Sequence, residues 1–314
     1  MEFRALRYFF ETARSGSIRQ AAERLHVAAS AVSRQIAHLE HEFGAPLLER
    51  RSQGIKLTPA GQLLAHHLEA TYRDLTHVRG LIDEFRGLRR GELSIYCIEG
   101  IVYSFLPGAI GRFNERYPDI SFNVTVASTD TIVEALRSDK ADIGITLNAH
   151  RRPDIQVVEK FVQPLQVLAH RDHSIAGRRS ITLKELSQYP VALPDVTFGV
   201  RQLIDRGLKR ADVTLSRLIT TNSIAMTRSI VRFGRALTLL PQFAIAEDLD
   251  NAPVVGVPIS DKEMGVTTLE IGVRKGRQLS FAVKAFLETL KLAAADVRTA
   301  PPRAPVRRER KRAE

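Results

Sequence analysis

The sequence predicts two fold classes in one chain: an all-α unit with a small hairpin at the amino end, and an α/β region in two halves beyond residue 91. A long helix joins them. Three observations lead there. Up to about residue 88 the apolar side chains recur at helical spacing, interrupted only by a hairpin-like pattern between residues 47 and 57. From Leu93 onward short apolar runs alternate with amphipathic helices. At 314 residues the chain is long enough for two or three domains.

Composition narrows the class. With 44% hydrophobic and 26% charged residues the chain is an ordinary globular one. It has no run of 18 apolar residues, so no membrane partner is expected, and MEFRALRYFF lacks the apolar core and cleavage site of an export signal. One cysteine, Cys97, permits no internal disulfide, and a cytoplasmic location is the default expectation. The net charge of +11 and a pI near 10.1 favour a polyanionic partner. Nearly half of that excess lies from Arg298 onward, where seven basic residues face two acidic ones.

The first helix is expected over residues 3 to 14, where Phe3, Leu6, Phe9, Phe10 and Ala13 share a face and Ser15-Gly16 ends it. The stretch SIRQAAERLHVAASAVSRQIAHLE, Ser17 to Glu40, then reads as two short helices joined at His26-Val27. Ser17 and Gln20 are spaced for a capping box. Ile18, Ala21, Ala22 and Leu25 form one apolar face; Val32, Ile36, Leu39 and Phe43 form another that must be buried. Ser30, Arg34 and Ala37 fall opposite, with Ser33 on the flank and Ala29 nearer the buried edge. Short polar groups and one arginine let such a face approach phosphates and base edges. Gly44 suits the helix end. Leu47 to Arg50, a turn over Arg51 to Gly54, and Ile55 to Leu57 read as a hairpin. Three helices and a basic hairpin make a winged helix-turn-helix over residues 1–58, and double-stranded DNA is the expected partner. The candidate DNA contacts are Ser17, Ser30, Ser33, Arg34, Arg50, Arg51, Gln53 and Lys56.

Thr58 and Pro59 suit the N-cap and first position of a helix running to about Leu88. Leu68, Leu75 and Ile82 repeat every seven residues, beside a second row of Leu64, Thr71, Val78 and Phe85. A seam of this kind wants a partner helix, and the simplest is its twin. Leu64, Leu68, Leu75, Val78, Ile82 and Phe85 are therefore expected to hold a homodimer through a linker spanning 59–90, with Gly87 to Gly91 as a hinge.

Strands are expected at Leu93 to Ile98, Ile120 to Val126 and Ile143 to Thr146, with helices at Tyr103 to Tyr117 and Thr131 to Ser138 between them. This alternation points to a parallel sheet covered on both faces. Strands at Leu165 to Ala169, Val191 to Leu193, Leu218 to Thr221, Leu237 to Leu240 and Thr267 to Val273 follow, with helices at Val200 to Arg210, Ser223 to Phe233 and Phe281 to Leu292. Two such halves imply a cleft beyond the carboxyl ends of the strands. The candidate ligand residues are Glu99 and Gly100, Ser128 and Thr129, Asn148, Thr197 and Phe198, and Thr221 and Asn222. Serine, threonine and amide groups at helix starts favour an anion, whereas Glu99 would repel an acid or attract a cation. The tail from Asp296 is rich in Pro, Arg and Ala and is expected to be disordered.

These residues carry a resemblance. The stretch from FRALRYFFETARSGS through IKLTPAG resembles the DNA-binding domain of LysR-type transcriptional regulators, and GELSI, LPGAIGRFNERYPDI and LLP resemble parts of their effector-binding domain. The likeness spans about residues 1 to 292. It implies a winged helix-turn-helix, a dimerising linker helix, usually a homotetramer, and a small-molecule effector held between two subdomains of periplasmic-binding-protein-like α/β fold. The subdomains would comprise about 91–161 with 267–295, and 162–266, the chain crossing near residue 161 and returning near 267. By resemblance, small organic acids fit as effectors; no cofactor or metal is implied. Ser33 and Arg34 match the family, but Ala28-Ala29-Ser30 stands where it often has Ser-Gln-Pro, and Gln53 where arginine is common. Base readout then falls more heavily on Ser30 and Arg34.

Enzymatic readings are weaker. His170, Asp172, His173 and Ser174 crowd one loop-like stretch without a nucleophile elbow or dinucleotide glycine pattern. His170-x-x-His173 lacks further metal ligands, and Cys97 sits in an apolar strand as a buried, inert thiol. A solute-binding protein would explain two lobes but not the added helix-turn-helix.

Overall fold

The structure is a computed structural model that describes residues 3–51, 54–85, 90–103, 105–148, 152–264 and 266–299. It divides into two compact units, residues 1–79 and 80–314.

In the first unit, α1 (Phe3–Ser15), α2 (Ile18–Leu25) and α3 (Ala29–Phe43) enclose a core of Ala5, Phe9, Ala22, Val32, Ile36 and Leu39. The Ser17 hydroxyl accepts the Gln20 amide at 3.4 Å, but the capping box is one-sided. The Ser17 amide turns to the Ser15 hydroxyl at 3.5 Å, brought near by Gly16 at φ +66°. His26 closes α2 in the left-handed region, its amide bonded back to α2 carbonyls. Gly44 does the same for α3. Phe43, expected to be buried, is 46% exposed, because the last turn of α3 runs past the core.

The wing is a two-stranded antiparallel sheet of β1 (Leu48–Arg51) and β2 (Gly54–Leu57). It is tied down at several points. Glu40 of α3 accepts the amides of Leu47 and Leu48 at 2.8 and 3.1 Å, and the Ile55 amide donates to the Gly16 carbonyl at 3.1 Å. Thr58 caps α4 (Pro59–Phe85) by accepting the Gly61 amide at 3.0 Å while donating to the Pro46 carbonyl at 2.6 Å. A Cβ at Gly61 would stand 2.0 Å from the Leu47 carbonyl oxygen, so only glycine lets helix and wing approach this closely.

The heptad seam of α4 is divided. Leu68 is buried in the core of the first unit, Leu64 packs against it, and Tyr72 stacks on Phe10 of α1 at 4.8 Å. Leu68 is therefore a core residue and has no surface to offer a second helix, which corrects its place among the dimer contacts. Leu75, Val78 and Ile82 are 47, 47 and 51% exposed. The Phe85 side chain, and residues 86–89 of the expected hinge, lie outside the described residues.

The second unit is built on a seven-stranded mixed sheet. Its strands are β3 (Gly91–Cys97), β4 (Ile120–Val126), β5 (Ile143–Leu147), β6 (Ile155–His170), β9 (Thr238–Pro241), β10 (Val254–Pro258) and β11 (Val266–Arg274). The order is β10-β6-β11-β5-β3-β4, with β9 also on β6. Only β3 pairs in parallel fashion, with β4 and β5; the pairings of β6 and β11 are all antiparallel. The expectation of a parallel sheet fails because β6 and β11 cross the molecule without helical crossovers. Residues 155–164 of β6 lie against β11, and residues 165–170 against β9 and β10. Pro164, where β6 changes partners, pairs with Val266, the first residue of β11.

The remaining helices are α5 (Phe105–Arg116), α6 (Thr129–Arg137), α7 (Leu183–Leu186), α8 (Gly199–Ala211), α9 (Ile224–Arg232), α10 (Gln242–Asn251) and α11 (Phe281–Thr299), with 3-10 turns at Glu99–Tyr103 and Lys262–Met264. A separate parallel pair, β7 (Pro190–Pro194) and β8 (Ser216–Thr221), touches Leu237, just before β9, through Val191. Phe113, Phe122 and Phe286 interlock edge to face between α5, β4 and α11. The tail begins later than Asp296: α11 extends to Thr299, and Asp296 pairs with Arg112 at 2.8 Å. Residues 300–314 lie outside the described residues.

Candidate functional site

Two surfaces bear on function. On the first unit, Val32, Ile36 and Leu39 hold α3 down, which turns Ser30, Arg34 and Ala37 outward. Arg34 is exposed and has no ion pair among the described residues, so its guanidinium is available to an anion or a base edge. Ala28 and Ala29 beside it are exposed and carry no hydrogen-bonding side chain. Ser33 and Ser17 are half-buried, and Ser17 is spent on capping α2. On the wing Lys56 is exposed, while Arg51 is paired with Glu49 at 3.1 Å in a solvated ion pair that phosphate can displace. Gln53 and the Arg50 side chain lie outside the described residues.

On the second unit the turn after β3 meets the start of α9, and the carboxyl end of β5 meets the start of α8. Leu147, at the end of β5, has its carbonyl reached by the Thr129 hydroxyl at 3.4 Å and stands 3.1 Å from where a Cβ on Gly199 would lie. Asn148 follows in the left-handed region at φ +51°; its amide donates to Thr268 and its Oδ1 accepts the Thr268 amide at 2.7 Å. Its Nδ2 is buried without a partner, an orphan donor at the strand end.

The turn Glu99–Tyr103 reaches furthest across. Glu99 Oε1 accepts the Ala225 amide of α9 at 3.1 Å and the Tyr103 hydroxyl at 2.6 Å. A Cβ on Gly100 would meet Phe243 of α10 at 3.1 Å, so this glycine serves a close packing contact. Burial, then the bond to Glu99, push the Tyr103 hydroxyl far above its usual range, which keeps it a donor. Arg228 of α9 lies over the Tyr103 ring at 3.9 Å and pairs with Asp248 of α10, which also takes Arg232. Arg228 and Asp248 are buried, so each needs the other.

The other expected ligand residues are used locally. Ser128 caps α6 through Thr131, as Ser223 caps α9 through Met226. Thr197 donates its hydroxyl and amide to Asp195 at 2.5 and 2.9 Å; those two bonds, hydroxyl first, hold the Asp195 carboxyl below the usual range. Thr221 contributes its carbonyl to the Asp195 amide, Phe198 begins α8 without a side-chain cap, and Asn222 is exposed. Glu99 and Gly100 reach Ala225 of α9 and Phe243 of α10, whereas Thr129 and Asn148 bond to Leu147 and Thr268. Sequence reasoning missed Tyr103, Arg228 and Asp248. Nothing short of helix packing shows that a tyrosine, an arginine and an aspartate up to 145 positions apart share one junction, though the i, i+4 spacing of Glu99 and Tyr103 was visible.

A cavity of about 460 Å³ lies apart from these residues, beside α6, lined by Val133, Leu136, Thr146, Arg152, Lys160 and Glu270 among others. Cys97 is buried and its thiol is pushed up to about 12 by burial, which leaves it no nucleophile. Among the described residues no group of His, Cys, Asp and Glu could hold a metal, and no helix is long and apolar enough to cross a membrane.

A winged helix-turn-helix followed by a two-part ligand-binding fold defines a ligand-responsive DNA-binding regulator. Residues 3–62 match the bacterial regulatory helix-turn-helix protein model of the lysR family, and residues 86–295 match the LysR substrate binding domain. The chain belongs to the LysR family of transcriptional regulators. It is 30% identical over 291 residues to the transcriptional dual regulator GltC of Bacillus subtilis (strain 168), covering 92% of this chain and 96% of that one. Among solved structures, full-length CbnR complexed with its target DNA matches with a TM-score of 0.71 and 25% identity, covering 93% of this chain and 100% of that one. The effector binding domain of QuiR in complex with shikimate matches with a TM-score of 0.56 and 20% identity, covering 66% of this chain and 98% of that one.

Proposed function

We propose that this protein binds promoter DNA as a homodimer, and by pairing of dimers as a homotetramer, and that a small organic acid held at the strand ends of the second unit changes how it engages the promoter. The observation that carries this reading is that Glu99 takes the Ala225 amide at the start of α9 while the Leu147 carbonyl lies against Gly199 at the start of α8, with Thr129 bonded to Leu147 and Asn148 next to it in the chain. A ligand there touches both halves of the sheet system at once. It shifts the protein's equilibrium to the extent that it binds one arrangement of the halves better than another. The exposed stripe Leu75, Val78 and Ile82 supports pairing through α4. The orphan Nδ2 of Asn148 supports a ligand with an acceptor, and QuiR gives precedent for a carboxylic acid in this fold.

The linker over 59–90 and subdomains of about 91–161 with 267–295, and 162–266, remain the division this function requires, operating inside the cytoplasm. Catalysis has no part in the proposal. DNase footprinting of the chain on its promoter, with and without acids that bind, is the test. An unchanged footprint and unchanged transcription with every acid that binds would sink the effector role.

A further inference from the structure

We propose that Glu99 sets the charge rule of the effector cleft: it is a tethered carboxylate that occupies the donors an acidic effector needs, so that an acid enters by displacing it. The inference rests on the effector reading of the cleft given above. Ala225 is the second residue of α9, where backbone amides have no helical acceptor, and Ser223 satisfies only the Met226 amide. Glu99, from the other half of the unit, reaches across to the Ala225 amide and takes the Tyr103 hydroxyl with the same oxygen. Arg228, the cation beside them, is committed to Asp248 and stacked on Tyr103. A second carboxylate beside a seated Glu99 would meet like charge at close range, with the Arg228 guanidinium already held by Asp248 and the Tyr103 ring. Exchange removes that conflict: the incoming carboxylate takes the two donors and Glu99 swings to solvent. The bond that joins the two halves then runs through the ligand, and the ligand is thereby sensed.

Acetate is the probe. Thermal unfolding of the full chain is followed in sodium acetate against sodium chloride at matched ionic strength, for wild type, Glu99→Ala and Glu99→Gln. The alanine variant should gain an acetate-specific rise in Tm that saturates in the millimolar range. Wild type should show none, nor should the glutamine variant, whose amide oxygen still accepts both bonds. Adding Tyr103→Phe to Glu99→Ala should weaken acetate about tenfold, as befits loss of one charge-assisted hydrogen bond. Equal acetate responses in wild type and Glu99→Ala, or none in either, overturn the proposal. Should Glu99→Ala fail to fold, Glu99→Ser takes its place in the same comparison. If the alanine variant binds acetate while no acid alters its footprint, the displacement stands and the effector reading falls.

Discussion

In the proposed DNA-bound state, Arg34 is the residue on which sequence readout would turn. Ala28 and Ala29 leave the leading edge of α3 without hydrogen-bonding side chains, and Arg34 stands exposed with no ion pair among the described residues. Arg34→Ala should cost on the order of 1–3 kcal/mol of specific binding and relax preference at one base position, measured by competition against point-mutated sites. A loss equal on all sequences would make it a phosphate contact instead. Cys97 invites the opposite expectation. With its thiol buried and pushed up to about 12, it should resist iodoacetamide at pH 8 in the native chain and react once denatured. Rapid native alkylation would contradict that. Single residues were legible where chemistry is local. Thr58 as a cap, Gly44 as a helix end and Cys97 as a core thiol follow from neighbours in sequence. Thr197 was not, because its hydroxyl had two equally reasonable partners, a ligand or Asp195, and the nearer one took it.

At the scale of elements, α4 shows what periodicity can and cannot say. The seven-residue repeat marks which face is apolar, but not what covers it. Its first turns are covered by α1, through Leu68 and Tyr72, and its later turns leave Leu75, Val78 and Ile82 exposed. The two parts should respond differently to mutation. Leu68→Ala should destabilise the first unit by about 2–5 kcal/mol, as a buried leucine does. Ile82→Glu should leave that unit folded and shift sedimentation from dimer to monomer at micromolar concentration. Sedimentation of Ile82→Glu unchanged from wild type would remove α4 as the dimer seam. Strand β6 teaches a similar lesson. Its inner part, Leu165 to Ala169, is largely apolar and was legible, whereas IQVVEK carries polar and charged residues on a half-exposed ladder and Pro164 reads as a break. The proline is tolerated because it pairs with Val266, the first residue of β11, where the ladder begins.

For the whole molecule, the order of parts was legible: helical reader, long helix, two-part sensor. The wiring inside the sensor was not, because it depends on groups that only tertiary packing unites. Asp248 is the clearest case. It is buried between Arg228 of α9 and Arg232 one turn on, and Arg228 in turn covers Tyr103. Asp248→Ala would leave the buried Arg228 charge without its partner, a loss of about 3–5 kcal/mol. Because the chain forms two compact units, this cost should fall on the second alone. Calorimetry should then resolve two transitions, one lowered by Asp248→Ala and the other by Leu68→Ala, with the double variant additive. A single transition that both substitutions lower equally would mean that the two units fold as one. In that event a ligand at the strand ends could reach the DNA-binding surface through stability itself, and no separate change in how subunits pair would be needed to explain a response.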